Sequence, residues 1–347
     1  MNSDKIKVLL TGASGSVGRE VLKMFCDDKQ KYDVTVFDKA SKMATKQLRP
    51  FEKMVEIVYG DITNAEDVKG VCADKDVVIH LAAIIPPLAD EKPDLAAVVN
   101  TQGTINLIKN LEDLSPNVFF LYSSSISVYG DRLTNPLIRV GDPLLPSEGD
   151  EYAVTKIEAE KALKNSQLQW SIFRLAAIMG NHKMSGLMFH QPLATSMEIA
   201  TTEDTARAFV NAIEHRYDLS KRIFNLGGGE SCRISYEDFL CRSFAIAGLG
   251  KPNFPGNAFA DQNFHCGFYM DGDDLEEIVH FRQDTLESYF RKEEAKVSVL
   301  QKFVTSLFRW PIKKYLLKMS DPYKADFSND RKMMARYFKS ERKKVAV

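Results

Sequence analysis

The 347-residue chain has only 5 cysteines, Cys26, Cys72, Cys232, Cys241 and Cys266, an odd and scattered set without a CxxC spacing. That pattern argues against a disulfide framework or a zinc site and for a reducing, intracellular setting. No uninterrupted apolar run approaches the roughly 20 residues that span a bilayer. The opening MNSDKIKVLL goes from charged residues straight into a short apolar stretch, with neither an h-region nor a cleavage site. A cytoplasmic location is the expectation. Repeats at solenoid periods and low-complexity segments are also missing. Net charge is nearly absent, at −1, but its distribution is uneven. From Val297 to Val347 there are 13 Lys/Arg against 4 Asp/Glu, and the rest of the chain has 33 basic and 43 acidic residues. A basic tail on an acidic body can meet a membrane surface, a nucleic acid or another subunit. A solvated or self-packed tail is the expectation, with no nucleic-acid partner.

What is present is a strand–helix rhythm. IKVLLTG (6–12), YDVTVFD (32–38), VEIVYGD (55–61), DVVIHLAA (76–83), NVFFLYSSS (117–125) and WSIFRLAAIMG (170–180) read as strands separated by helical patterns. Near-continuously apolar strands alternating with helices predict an α/β, doubly wound parallel sheet covered on both faces. After residue 180 the rhythm breaks. Residues 180–196 read as a loop-rich insert, followed by a helix over 203–215, a strand over 221–230 and a helix over 235–249. Near the end, Leu300, Phe303, Val304, Leu307 and Phe308 share a helical face before Pro311 interrupts the pattern.

TGASGSVG lies between the first strand and the first helix, where a phosphate-binding turn would sit. Gly12, Gly15 and Gly18 permit a tight turn and close backbone approach to a pyrophosphate. Ser16 and Val17 open the following helix, whose free N–H groups and positive dipole end suit the same anion. The second strand ends in Asp38, 20 residues after Gly18, the usual distance for an acid that binds the adenosine ribose. A carboxylate there favours NAD over NADP, and Lys39 beside it weakens that preference and leaves NADP open.

With these residues in place the chain resembles the extended short-chain dehydrogenase/reductase superfamily, in its NAD-dependent epimerase/dehydratase family. The resemblance runs from about residue 6 to 230 and implies a Rossmann-type sheet with a smaller C-terminal substrate-binding lobe. It also implies roles. In GDIT, Asp61 and Ile62 fall where the family contacts adenine. In IHLAA, Leu81, Ala82 and Ala83 follow the fourth strand, whose backbone runs along the cofactor. Asn100 matches the family's structural and cofactor-side asparagine. In SSSISVYG and YAVTK, Ser125, Tyr152 and Lys156 match the catalytic serine, tyrosine and lysine. Tyr152 and Lys156 are four apart on a helix, so they share a face and the ammonium can favour the phenolate. Such a tyrosine removes a proton from a hydroxyl while hydride leaves the same carbon, and Ser125 hydrogen-bonds the oxygen.

The chain also departs from the family. Ile126 and Ser127 replace the acids of the 4,6-dehydratases, which disfavours dehydration. Ala177 and Asn181 replace the usual asparagine and Gly-Pro after the sixth strand, and the Arg-Asp pair before the next helix is missing, so the diphosphate side of the pocket is altered. Ser127, His182 and His190 are substrate-side candidates; no metal site is expected. The expected domains are 1–180 with 198–226 for NAD, 181–197 and 227–296 as the substrate lobe, and 297–347 as the basic helical tail. The expected function is an oxidoreductase or epimerase that transfers hydride at a secondary alcohol or ketone of a sugar-like or sugar-nucleotide-like substrate. A dehydrogenase or reductase of a non-sugar small molecule and a non-catalytic NAD-binding protein are the alternatives. Family analogy implies a homodimer.

Overall fold

In a computed structural model of the chain, residues 5–180 and 184–339 are described. Twelve strands run in chain order: β1 (Ile6–Thr11), β2 (Tyr32–Asp38), β3 (Glu56–Tyr59), β4 (Val77–His80), β5 (Phe119–Ser125), β6 (Leu137–Ile138), β7 (Gln169–Leu175), β8 (Ala177–Met179), β9 (Ser196–Thr201), β10 (Arg222–Leu226), β11 (Arg233–Ser235) and β12 (Phe268–Tyr269). Seven of them form the main sheet in the order β10-β7-β5-β4-β1-β2-β3. All of its pairings are parallel, as when Leu10 sits between Val36 of β2 and Ile79 of β4.

Every residue of β4 is buried, as are all but the last of β5, because helices cover both faces of the sheet. On one face Val21, Leu22 and Phe25 of the first helix pack with Phe209 of helix Thr202–Asn211 and with Val279. On the other, Val68, Leu107, Leu111 and Leu163 come from three further helices. The chain leaves β1 toward β2 but returns through β4 on the other side of β1. The carboxyl ends of β1 and β4 therefore flank the crevice where open α/β sheets bind their ligands.

The second lobe has its own core, with Phe189, Met197, Leu240, Phe244, Phe290 and Leu316 among its members. The sixth predicted strand reaches it by splitting. The first part, β7, stays in the main sheet, and β8 crosses over to pair with β9. Strand β9 lies between the expected loop (180–196) and helix (203–215), in a stretch given no element from the sequence, and it also pairs with β11. Five of its six residues are buried, so it carries no period-2 pattern, and its pairing partners lie 20 to 40 residues away. Pro311 does not end the last amphipathic pattern. The break falls at Phe308, and Pro311 sits in the first turn of helix Arg309–Leu317, where its missing N–H has no partner to lose.

Candidate active site

Gly12 ends β1 with φ +72°, and a Cβ there would stand 2.6 Å from the backbone nitrogen of Ala82. A side chain is thus excluded by both conformation and space. Thr11 joins the two crevice segments: its carbonyl accepts from Leu81 N at 3.3 Å, and its hydroxyl accepts from Ala82 N at 3.2 Å. By contrast, a Cβ on Gly15 would meet only the Gly12 carbonyl oxygen, at 3.2 Å, so this side of the turn is open to a ligand. Gly15 N-caps the helix that begins with Ser16 and Val17, with no side-chain cap and no carboxylate in the first turn. Its free amides and dipole suit a pyrophosphate.

Asp38, at the end of β2, accepts from Ser14 N and from Lys39 N, each at 2.8 Å. One carboxylate thus ties the glycine turn to the second strand. Lys39 lies 3.7 Å from Asp61, so its ammonium is drawn toward another carboxylate. Asp61 is held below its ordinary value mainly by hydrogen bonds from Thr63. Ile62 is buried. Asn100 is buried in a short π-helical stretch, Ala97–Gln102. Its oxygen accepts from Ile84 N at 2.7 Å, and its amide donates to Ile84 O at 2.9 Å and Thr155 Oγ1 at 3.0 Å. The glycine cradle, the exposed helix start and the acid at the second strand's end fit a dinucleotide.

The predicted catalytic pair lies on helix Glu151–Lys164, capped by Asp150, which accepts from Ala153 N at 3.0 Å. Ser125, at the end of β5, lies close enough to the Tyr152 phenol to influence its acidity. Burial pushes the phenol well above its ordinary value, Ser125 pulls it back in part, and the Asp150 charge raises it further. Lys156 is buried and donates from Nζ to Ser123 O at 2.8 Å. Burial lowers its ammonium to about 7, against the opposing pull of Glu160. The Nζ is 5.7 Å from the Tyr152 ring centroid and 4.9 Å from that of Tyr122. Ser125, Tyr152 and Lys156 lie together at the end of β5, with burial the main influence on the phenol's acidity.

Sequence reasoning missed Glu160, although it continues the i, i+4 stripe of Tyr152 and Lys156. Fully buried, it accepts from Ser124 Oγ at 2.6 Å and binds Arg174 through two bonds of 3.0 and 2.8 Å. Arg174 also donates to the Tyr129 hydroxyl at 2.8 Å. This buried network underlies helix Glu151–Lys164. His80, also buried, bridges Thr11 and Thr104 at 2.6 and 2.9 Å, and burial lowers it to about 3.

A cavity of about 580 Å³ extends from Ser125 into the second lobe as far as Val297. Tyr152 packs against Ile84, Ala89 and Ala96, and the adjoining Ile85 and Pro86 stand in the cavity wall. Much of the wall is apolar, with Ile126, Met179, Met188, Phe239, Leu240 and Phe290 among its residues. Its ionisable groups are mostly paired: Asp90 with Arg336 at 3.8 Å, Asp150 with His265 at 3.1 Å, and His190 with Asp321 at 3.0 Å. Of the substrate-side candidates, His190 is in the wall, but its ring nitrogen is engaged by Asp321. Ser127 is completely buried and absent from the wall, because the turn after β5 points Ile126 into the cavity. His182 and Asn181 lie outside the described residues. No group of three or more His, Cys, Asp or Glu among the described residues is placed to hold a metal.

Residues 8–227 match the sequence model of the NAD dependent epimerase/dehydratase family. The chain belongs to that family, which binds NAD and whose members are enzymes. Among curated proteins it is 31% identical over 170 residues to a 3-beta-hydroxysteroid dehydrogenase of Mycolicibacterium neoaurum, covering 46% of this chain and 43% of that protein. It is 30% identical over 129 residues to the human 3 beta-hydroxysteroid dehydrogenase type 7, covering 37% and 35% of the two chains. The chain thus matches less than half the length of either relative. The UDP-glucuronic acid 4-epimerase of Bacillus cereus, solved with UDP-glucuronic acid and NAD, has the same fold with a TM-score of 0.70 at 21% identity, covering 84% of this chain and 98% of that one. The dTDP-glucose 4,6-dehydratase of Bacillus anthracis, solved with NAD, also gives 0.70, at 16% identity and coverage of 84% and 96%.

Proposed function

We propose that this protein is an NAD-dependent dehydrogenase of a bulky, largely apolar secondary alcohol, of the 3β-hydroxysteroid kind. The observation that carries this reading is the cavity wall: Ser125 opens onto a chamber lined by Met, Phe, Ile and Leu, within the size range of small-molecule sites. A nucleotide-sugar diphosphate requires unpaired cationic groups to hold it. Among the described residues the wall's Arg336 faces Asp90 at 3.8 Å and its Lys296 pairs with Glu293 at 2.6 Å. Two relatives named for 3β-hydroxysteroid dehydrogenation support the same substrate class. Of the expected alternatives, the non-sugar one is therefore favoured.

Bound NAD supplies the hydride acceptor. The chain's own part is to orient the alcohol and take its proton. Ser125 holds the substrate oxygen, Tyr152 receives the hydroxyl proton as the carbon loses hydride, and the products are a ketone, NADH and a proton. Lys156, fixed to Ser123 O, places positive charge beside the phenol when protonated. Asp38, with Lys39 drawn to Asp61, favours NAD over NADP. The same reading includes a homodimer through helices 93–114 and 151–164, which leave Leu95, Val98 and Val154 exposed.

The test is NADH formation with NAD⁺ and a panel containing a 3β-hydroxysteroid, small alicyclic alcohols and UDP-sugars, with products also checked for inversion. Net NADH with the steroid and none with the UDP-sugars is the expected result. Inverted UDP-sugar without net NADH would instead make this an epimerase.

A further inference from the structure

Helix Val299–Leu307 is fully formed, with a reciprocal cap: Ser298 Oγ accepts from Gln301 N at 3.2 Å, and Gln301 Oε1 accepts from Ser298 N at 3.0 Å. Yet none of its residues is buried. Val299 is 87% exposed, Leu300 71%, Phe303 67% and Leu307 69%, and Trp310 on the next helix is 70% exposed. These positions make one apolar stripe along the helix surface. The other side is anchored. Leu316 and Ile312 enter the core of the second lobe, the Lys302 backbone lies directly against Gly248, and Lys313 donates to Lys251 O at 2.6 Å.

The stripe is bordered by cations. Residues 297–319 contain Lys302, Arg309, Lys313, Lys314 and Lys318 and no Asp or Glu. Among the described residues only Lys302 of these five forms an ion pair, with Glu294 at 3.4 Å. No helix among the described residues is long and apolar enough to cross a membrane. An apolar stripe with an exposed Trp and Tyr, flanked by Lys314 over the Trp310 ring at 5.2 Å and by cations of which only Lys302 faces a carboxylate, is unfavourable in water and matched to an interface. There the apolar side chains enter the acyl boundary, the aromatic rings settle at headgroup depth, and the ammonium groups meet anionic phosphates.

We propose that helices Val299–Leu307 and Arg309–Leu317 dock this protein on the surface of an anionic lipid bilayer. Charge selects that occupant. A second copy would set five cations against the same five, and a nucleic acid would leave the apolar stripe in water. The placement is also informative: Lys296 and Val297, just before the first helix, belong to the cavity wall, so docking brings that end of the cavity to the lipid. This proposal stands whether or not the substrate is a steroid.

The experiment is flotation of the full chain with vesicles of phosphatidylcholine alone and of phosphatidylcholine mixed with phosphatidylserine. Two variants accompany it, Phe303→Glu/Leu307→Glu and Lys314→Glu/Lys318→Glu, each checked for unchanged thermal midpoint and NAD binding. The expected result is flotation on the anionic vesicles, much less on phosphatidylcholine alone, and a loss of about tenfold or more in both variants. Absence of flotation, or equal flotation of wild type and variants, overturns the proposal. So does a wild-type dimer that Phe303→Glu/Leu307→Glu splits into monomers while neither binds vesicles, which would show a second copy covering the stripe.

Discussion

Lys156 donates from Nζ to the carbonyl oxygen of Ser123 at 2.8 Å, linking helix Glu151–Lys164 to the strand that ends in Ser125. The bond fixes the amine in a buried position, and burial is what sets its protonation. Because the charged form is disfavoured, the folded value of about 7 lies below the ordinary 10.5. Between those values the unfolded chain binds more protons at this group, so Lys156 makes stability rise with pH through that window and lowers it as pH falls toward 7. Carbon-13 NMR of lysine-labelled protein without cofactor should show one lysine titrating near 7, lost in Lys156→Met. A titration of that resonance near 10 would contradict the burial argument.

Tyr152→Phe keeps the ring that packs on Ala89 and Ala96 but removes the proton carrier. Turnover should fall about 10²- to 10⁴-fold, while NAD affinity measured by fluorescence titration stays near wild type. Retained turnover would assign the proton transfer to another group.

The raised phenol is protonated at neutral pH in the free enzyme. Alcohol oxidation needs that proton removed, so its kcat/KM should rise with pH above 7. Ketone reduction needs the proton present and should not gain. Profiles in both directions check the sign; an oxidation profile that falls with pH would assign the limb to another group.

Asp38→Ala removes the acceptor for Ser14 N and the negative charge at the end of β2. NAD should bind about tenfold or more weakly, and the preference over NADP should shrink, as paired dissociation constants would show. An unchanged preference would move discrimination elsewhere.

Gly12→Ala combines positive φ with a contact on Ala82 backbone that cannot yield cheaply. A thermal midpoint lowered by a few degrees or more is expected, together with weakened NAD binding. A stable variant binding NAD normally would show that the turn relaxes.

Local patterning made much of this legible. Parallel strands buried on both faces are nearly continuous apolar runs, so the main sheet showed in the sequence, and the Tyr152–Lys156 spacing defined a helical face without reference to the rest of the chain. The cavity did not, because its wall draws on Ile126, Met188, Leu240 and Phe290, residues brought together only by the packing of two lobes. Ser127 illustrates the same limit: its neighbour in sequence, Ile126, takes the cavity position, and one residue of turn geometry decides which of the two faces the cavity. Glu160 was visible in the i, i+4 stripe, but its meaning depended on Arg174 from β7.

Asn100 holds both the backbone N–H and the backbone carbonyl of Ile84 and, with the same side-chain amide, holds Thr155, whose hydroxyl donates to the Tyr152 carbonyl at 2.7 Å. Ile84 adjoins Ile85 and Pro86, which form one side of the cavity. A single side chain therefore rivets the cavity wall to the helix bearing Tyr152. On the proposed function, a ligand that presses on the Ile85–Pro86 side presses through Asn100 and Thr155 on the backbone of Tyr152 as well, so that fit in the chamber and proton transfer are mechanically connected.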